Sequence, residues 1–151
     1  MDNSEFEKKL NHILERNYDA QQGFDHVAEH IVHDEFRTIM DKSIAMRFKF
    51  VDDIKAIMTN LGMKPKIGSS VEGEMHRAWM NFREIFSTNN DAAMLDEAIR
   101  GESHAEEAYA DVLADSNLQS GHADILRNHL ASIHQTIIKL KTLKRSAEAS
   151  A

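Results

Sequence analysis

The stretch DEAIRGESHAEEAYADVL, Asp96 to Leu113, decides how this chain folds and where its interior chemistry lies. Together with Leu95, its apolar residues Ala98, Ile99, Ala105, Tyr109, Val112 and Leu113 recur at helical spacing. Glu102 and Glu106 share the stripe. At roughly 100° per residue, both fall within about 20° of the line through Leu95 and Leu113. A carboxylate in an apolar stripe is costly unless a metal ion or a cation from another helix meets it. The partner must come from elsewhere in the chain.

Working outward, the polar run Ser87 to Asp91 precedes this helix, and Asn90 or Asp91 can cap it. Downstream, Ser116-Asn117-Leu118-Gln119 has capping-box form and opens a last helix carrying Leu126, Leu130, Ile133, Ile137 and Leu140. At the other end of the chain, Ser4-Glu5-Phe6-Glu7 is a capping box for a first helix. Phe6, Leu10, Ile13, Leu14, Phe24, Val27, Ala28 and Ile31 keep its period, with Asn17, Ala20 and Gln21 in the middle of that face. The apolar phase then jumps by roughly 120° between Ile31 and Phe36, more than one continuous helix absorbs. A tight turn is therefore expected around Val32 to Asp34, with Asp34 as cap.

The second helix uses Phe36, Ile39, Met40, Phe50, Ile54, Met58 and Leu61, and Gly62 is its natural stop. Arg47 lies at the centre of its apolar face. Gly62 to Ser69 reads as a loop, and Ser69-Ser70-Val71-Glu72 opens a shorter helix with Met75, Ala78, Trp79, Phe82 and Phe86 on one side. The expected spans are about 4–31, 35–61, 91–115 and 117–145 for the long helices and about 70–86 for the short one. A long helix of about 25 residues spans about 40 Å. A long connection between the second and third lets them run parallel, as in bundles with one crossover. The expected fold is all-α: a single domain, 1–151, forming a ferritin-like four-helix bundle with a short helix in the crossover.

Composition agrees. The 151 residues suit one domain with a proper core, and one proline with six glycines leaves little turn chemistry for a β-fold. The net charge of −7 argues against a nucleic-acid binder. Lys139, Lys141, Lys144 and Arg145 read instead as complements to a helix C-terminus. The absence of cysteine excludes disulfides, thiol catalysis and thiolate metal sites. No apolar run reaches membrane-spanning length and no signal peptide is visible, so a soluble, cytoplasmic protein is expected.

The segments GSSVEGEMHRAWMNFREIF, Gly68 to Phe86, and LDEAIRGESHAEEAY, Leu95 to Tyr109, resemble a bacterial family of ferritin-like four-helix bundles known as domain of unknown function 2383. The resemblance rests on the glycine-serine loop, on Met75-His76-Arg77-Ala78-Trp79, and on the stretch from Glu97 to Glu102. Leu61-Gly62 and the Arg47 and Phe50 positions also fit, and it extends over residues 8 to 143. It implies a bundle distantly similar to rubrerythrin-type proteins and a bacterial stress setting, with no established reaction.

A di-iron carboxylate bundle takes one Glu from each of two helices and Glu-x-x-His from each of the other two. Here the first helix presents Asn17 and Gln21, and the second presents Arg47 with Phe50 three residues on. The fourth places Ala131 before His134 and Leu126 before His129. Only the third keeps its acids. A reduced site of Glu102, Glu106 and His134 or His129 would suit a single Fe, Mn or Zn ion. The two histidines flank the apolar face of the last helix on opposite sides, so at most one points inward.

The favoured alternative needs no cofactor. Arg47, always charged and built for bidentate pairing, would neutralise Glu102 or Glu106 in a buried network. His26, His30 and His33 form a stripe on the outer face of the first helix, either a surface metal site or, more simply, a solvated or subunit-contact surface. Gly23 and Gly101, inside helices, are read as sites of close backbone approach. No phosphate loop, G-x-S-x-G or H-E-x-x-H is present. The expectation is a non-catalytic structural, stress-associated or interaction protein that self-associates, most simply as a dimer, without nucleic acid or membrane. The alternative is a metal-binding protein with redox or storage activity.

Overall fold

The computed structural model describes residues 3–28, 33–66 and 91–149, with side chains given for all of these except 22–28, 91 and 147–149. Among the described residues there are four helices and no strand: α1 (Ser4–Ala28), α2 (Asp34–Asn60), α3 (Asp91–Leu113) and α4 (Ser120–Ala149). The short helix expected over 70–86, with Trp79, lies outside the described residues.

The local signals account for most boundaries. Gly62, at φ 71°, takes the left-handed position that ends α2. Its N–H donates to Thr59 O and that of Met63 to Met58 O, the paired bonds of a Schellman stop. Three expected caps are displaced. The Glu7 N–H donates to Asn3 O, so the cap is Asn3, and the Glu7 carboxylate accepts from Lys64 N instead. His33, not Asp34, caps α2, its Nδ1 accepting from Phe36 N at 3.4 Å.

The Ser116 box opens no helix. Asp115 Oδ1 organises a turn by accepting from Asn117 N, and α4 starts only at Ser120, with Ala123 N bonded to Gln119 O. An aspartate that satisfies the backbone two residues on competes with a helix start at this point. The basic run also differs from expectation. α4 continues to Ala149, its last turn holds no basic residue, and Lys144 pairs with Asp96.

Side-chain pairings give the helix directions. Lys64 and Lys66, just beyond α2, donate to Glu7 and Asn11 near the start of α1, so α1 and α2 are antiparallel. Lys9 meets Asp111 and Asp115 at the end of α3, so α1 and α3 are antiparallel too. It follows that α2 and α3 run parallel. α4 runs against α3, through Asp96 with Lys144, Glu106 with His134 and Tyr109 with His129. The touching pairs are α1 with α2, α3 with α4, α1 with α3 and α2 with α4, which leaves α2 and α3 on a diagonal.

Among the described residues, the buried apolar side chains form two clusters. The larger includes Leu10, Ile13, Leu14, Ile54, Met58, Tyr109, Val112 and Leu126. The smaller, towards the N-terminal ends of α2 and α3, holds Phe36, Met40, Met94, Leu95, Ala98, Leu140 and Leu143. Between them along α1, α2 and α3 come the buried polar residues Asn17, Ser43, Arg47 and Glu102. A polar layer divides the core. Gly101 is exposed, and among the described residues nothing lies within 4 Å of where a Cβ would be, so none of them makes the expected close backbone approach.

A buried hydrogen-bonded layer as candidate functional site

Arg47 is central to α2's inner face because Met40, Ser43, Phe50, Ile54 and Met58 surround it at helical spacing, all of them buried. Its side chain is 1% exposed, as is that of Glu102. Nη2 donates to Glu102 Oε1 across the diagonal between α2 and α3. Nη1 donates to Asn17 Oδ1 on α1 at 2.7 Å. The Asn17 amide then donates to Ile13 O at 2.8 Å and to the Tyr109 hydroxyl at 3.0 Å.

The chain of bonds continues. Tyr109 OH lies 2.9 Å from His129 Nδ1, and His129 Nε2 lies 2.8 Å from Asp53 Oδ2. A neutral imidazole has one donor and one acceptor, and the carboxylate can only accept. The tautomer follows: Nε2–H donates to Asp53 and Nδ1 accepts from the Tyr109 hydroxyl. Every bond from Arg47 to Asp53 thus points the same way, through Asn17, Tyr109 and His129. Phe50 stacks on the imidazole at 4.0 Å between centroids and holds the ring in place.

The electrostatics follow from burial. Desolvation pushes the Glu102 carboxyl up, opposed by the charge of Arg47 and its hydrogen bond. Burial pushes the Tyr109 phenol far up, so it stays protonated. It also pushes His129 below its ordinary 6.5, against the pull of Asp53, which keeps the ring neutral near pH 7. Two buried atoms of the layer, Glu102 Oε2 and Ser43 Oγ, have no hydrogen-bond partner among the described residues.

The sequence-derived candidates separate into three places. Glu102 joins Arg47, and His129 joins Tyr109 and Asp53. Glu106 pairs instead with His134 at 3.0 Å on the rim between α3 and α4, with side chains 37% and 60% exposed. The line through Leu95 and Leu113 lies on the flank of α3's buried face, whose centre runs through Ala98, Ala105, Tyr109 and Val112. At about 100° per residue, Glu106 falls about 40° further from that centre than Glu102. That rotation takes Glu106 out of the core.

Among the described residues no three His, Asp or Glu side chains converge as a metal would need. His33 ends at the α2 cap, while His30 and the side chain of His26 lie outside the described residues. Periodicity alone passed over Tyr109 and Asp53. The readable signal was that a buried tyrosine hydroxyl must find a partner.

Residues 5–115 match the profile described as a domain of unknown function, DUF2383. The chain belongs to this family. The match covers α1, α2 and α3, so the DUF2383 segment contains Asn17, Arg47, Asp53, Glu102 and Tyr109, whereas His129 on α4 lies beyond it. The resemblance read from the sequence extended to residue 143; the match stops at 115. Comparison with curated proteins finds no match. Among the described residues of this DUF2383 chain, no helix is long and apolar enough to cross a membrane.

Proposed function

We propose that this protein is a ferritin-like bundle, with a short helix over 70–86 in its crossover, whose centre carries a buried Arg–Glu network in place of a metal. Its role is then non-catalytic: a structural, stress-associated or interaction protein, cytoplasmic and self-associating as a dimer. The parallel course of α2 and α3 supports this, because a crossover between them is the ferritin-like arrangement. One observation carries the reading. The Arg47 guanidinium lies between the apolar clusters, held by Glu102 and Asn17, where a metal-binding bundle gathers its carboxylates. A fixed cation beside the only buried carboxylate among the described residues opposes the entry of a second cation.

Metal analysis of untagged protein tests this. The expected outcome is protein that folds normally without stoichiometric iron, manganese or zinc and does not respond to Fe(II) and peroxide. Stoichiometric metal that disappears in Glu102→Gln would overturn the reading. The metal-binding alternative draws on Glu106 and His134, an oxygen and a nitrogen ligand side by side. Metal lost in His134→Ala but retained in Glu102→Gln would favour it. Light scattering of the purified chain checks the dimer.

A further inference from the structure

The chain has two tyrosines, and their surroundings are opposite. Tyr18 is partly buried, and the ammonium of Lys55 lies 5.6 Å from its ring centroid and has no lone pair to receive a proton. Tyr109 is fully buried, and its hydroxyl faces the lone pair of a neutral imidazole at 2.9 Å. Behind that imidazole stands Asp53, 31% exposed at the protein surface. A phenol that loses an electron becomes a very strong acid, so it is oxidised readily only where its proton has somewhere to go. Tyr109 has such a place in an imidazole lone pair, whereas Tyr18 faces an ammonium.

We propose that Tyr109 is a redox-active tyrosine, a buried one-electron donor to small high-potential oxidants of the organic peroxyl-radical class. One electron leaves the Tyr109 ring for the peroxyl radical, which becomes a hydroperoxide anion and takes a proton from solvent. The Tyr109 O–H bond breaks, its proton moves to His129 Nδ1, and the products in the protein are a neutral phenoxyl radical and an imidazolium. The new positive charge is stabilised by the Asp53 carboxylate on Nε2. Asn17 Nδ2 stays bonded to the phenoxyl oxygen throughout. Arg47 makes a cationic ring unfavourable, which couples loss of the electron to loss of the proton. Burial of the ring then shields the radical from reactions with other solutes. The proposal is independent of the metal question, since no step uses Glu102 or Glu106.

The test is flash oxidation of the full chain by photogenerated tris(bipyridine)ruthenium(III), which takes electrons but cannot abstract hydrogen atoms, followed by freeze-trapping and electron paramagnetic resonance. Wild type and Tyr18→Phe should both give a phenoxyl signal whose high-field g-anisotropy is narrowed by the imidazolium hydrogen bond, and Tyr109→Phe should lose it. His129→Phe should slow formation at least tenfold and reduce the narrowing to what the Asn17 hydrogen bond alone gives. Asp53→Asn, a change at the partly exposed end that keeps the packing, should slow formation several-fold and keeps the proposal testable if His129→Phe does not fold. Peroxyl radicals from a water-soluble azo initiator should be consumed more slowly by Tyr109→Phe than by wild type. A signal that survives Tyr109→Phe or resides on Trp79 overturns the proposal. So does a rate unaffected by Asp53→Asn, or equal peroxyl consumption by the two proteins.

Discussion

Glu102 and Glu106 stand one turn apart on the same helix and live in different media. Glu102 is sealed in the layer between two apolar clusters against an equally sealed guanidinium, whereas Glu106 shares a wet rim with His134. The contrast teaches that a charge's energetic role is set by a small rotation about the helix axis. Inside, the pair's attraction offsets a large desolvation cost, so each member depends on the other. On the rim, water and salt do most of what the partner does.

The largest test of the contrast is to remove one member of the inner pair. Arg47→Ala or Glu102→Ala should cost about 3–5 kcal/mol in urea denaturation, because the remaining charge stays buried and unpaired. Replacing both, as Arg47→Met with Glu102→Leu, should leave stability near or above wild type. If the single changes cost no more than the double, the layer is not a coupled pair.

Next comes the hydrogen-bond chain leading out of the layer. Tyr109→Phe removes the hydroxyl that serves both Asn17 and His129, and should cost about 1–3 kcal/mol by the same measurement. A smaller loss would mean that water enters to replace it.

The third test uses pH. His129 is held below its ordinary 6.5 in the folded state, so near and below that pH the unfolded chain binds the extra proton more readily. Its contribution is therefore fully present above about pH 6.5 and shrinks as the pH falls from there towards the folded value. Urea midpoints at pH 7.5, 6.5 and 5.5 should fall more steeply for wild type than for His129→Asn. Parallel slopes would show that the ring binds its proton equally well in the folded and unfolded states.

The smallest effect belongs to the rim. Glu106→Ala or His134→Ala should change stability by no more than about 0.5 kcal/mol, and the change should vanish at high salt. A loss comparable to that of Glu102→Ala would erase the distinction between the two sites.

Much of this arrangement was legible in the linear sequence, for reasons that individual residues make clear. Four helices follow from periodic apolar residues, and the end of α2 from Gly62, because those signals act within a few residues. Arg47 and Glu102 stood out because each interrupts an apolar stripe. The displaced caps of α1 and α2 and the later start of α4 came from competition: Asn3, His33 and Asp115 made the local bonds that Ser4, Asp34 and Ser116 had been expected to organise. Glu106 was misplaced because a line drawn through Leu95 and Leu113 missed the centre of the buried face. The run from Tyr109 through His129 to Asp53 draws on α3, α4 and α2 together. Its formation depends on how those helices are aligned, which no single helix encodes.

The diagonal pairing of Arg47 with Glu102 also bears on which pieces of chain will accept one another. The fold can be divided into two antiparallel hairpins, α1 with α2 and α3 with α4. One presents a guanidinium on its apolar face and the other a carboxylate. Two copies of the first hairpin would press arginine against arginine, and two copies of the second glutamate against glutamate. Only unlike hairpins bring opposite charges together. When many chains fold side by side, this charge code rejects like-with-like mating that apolar surfaces alone would tolerate.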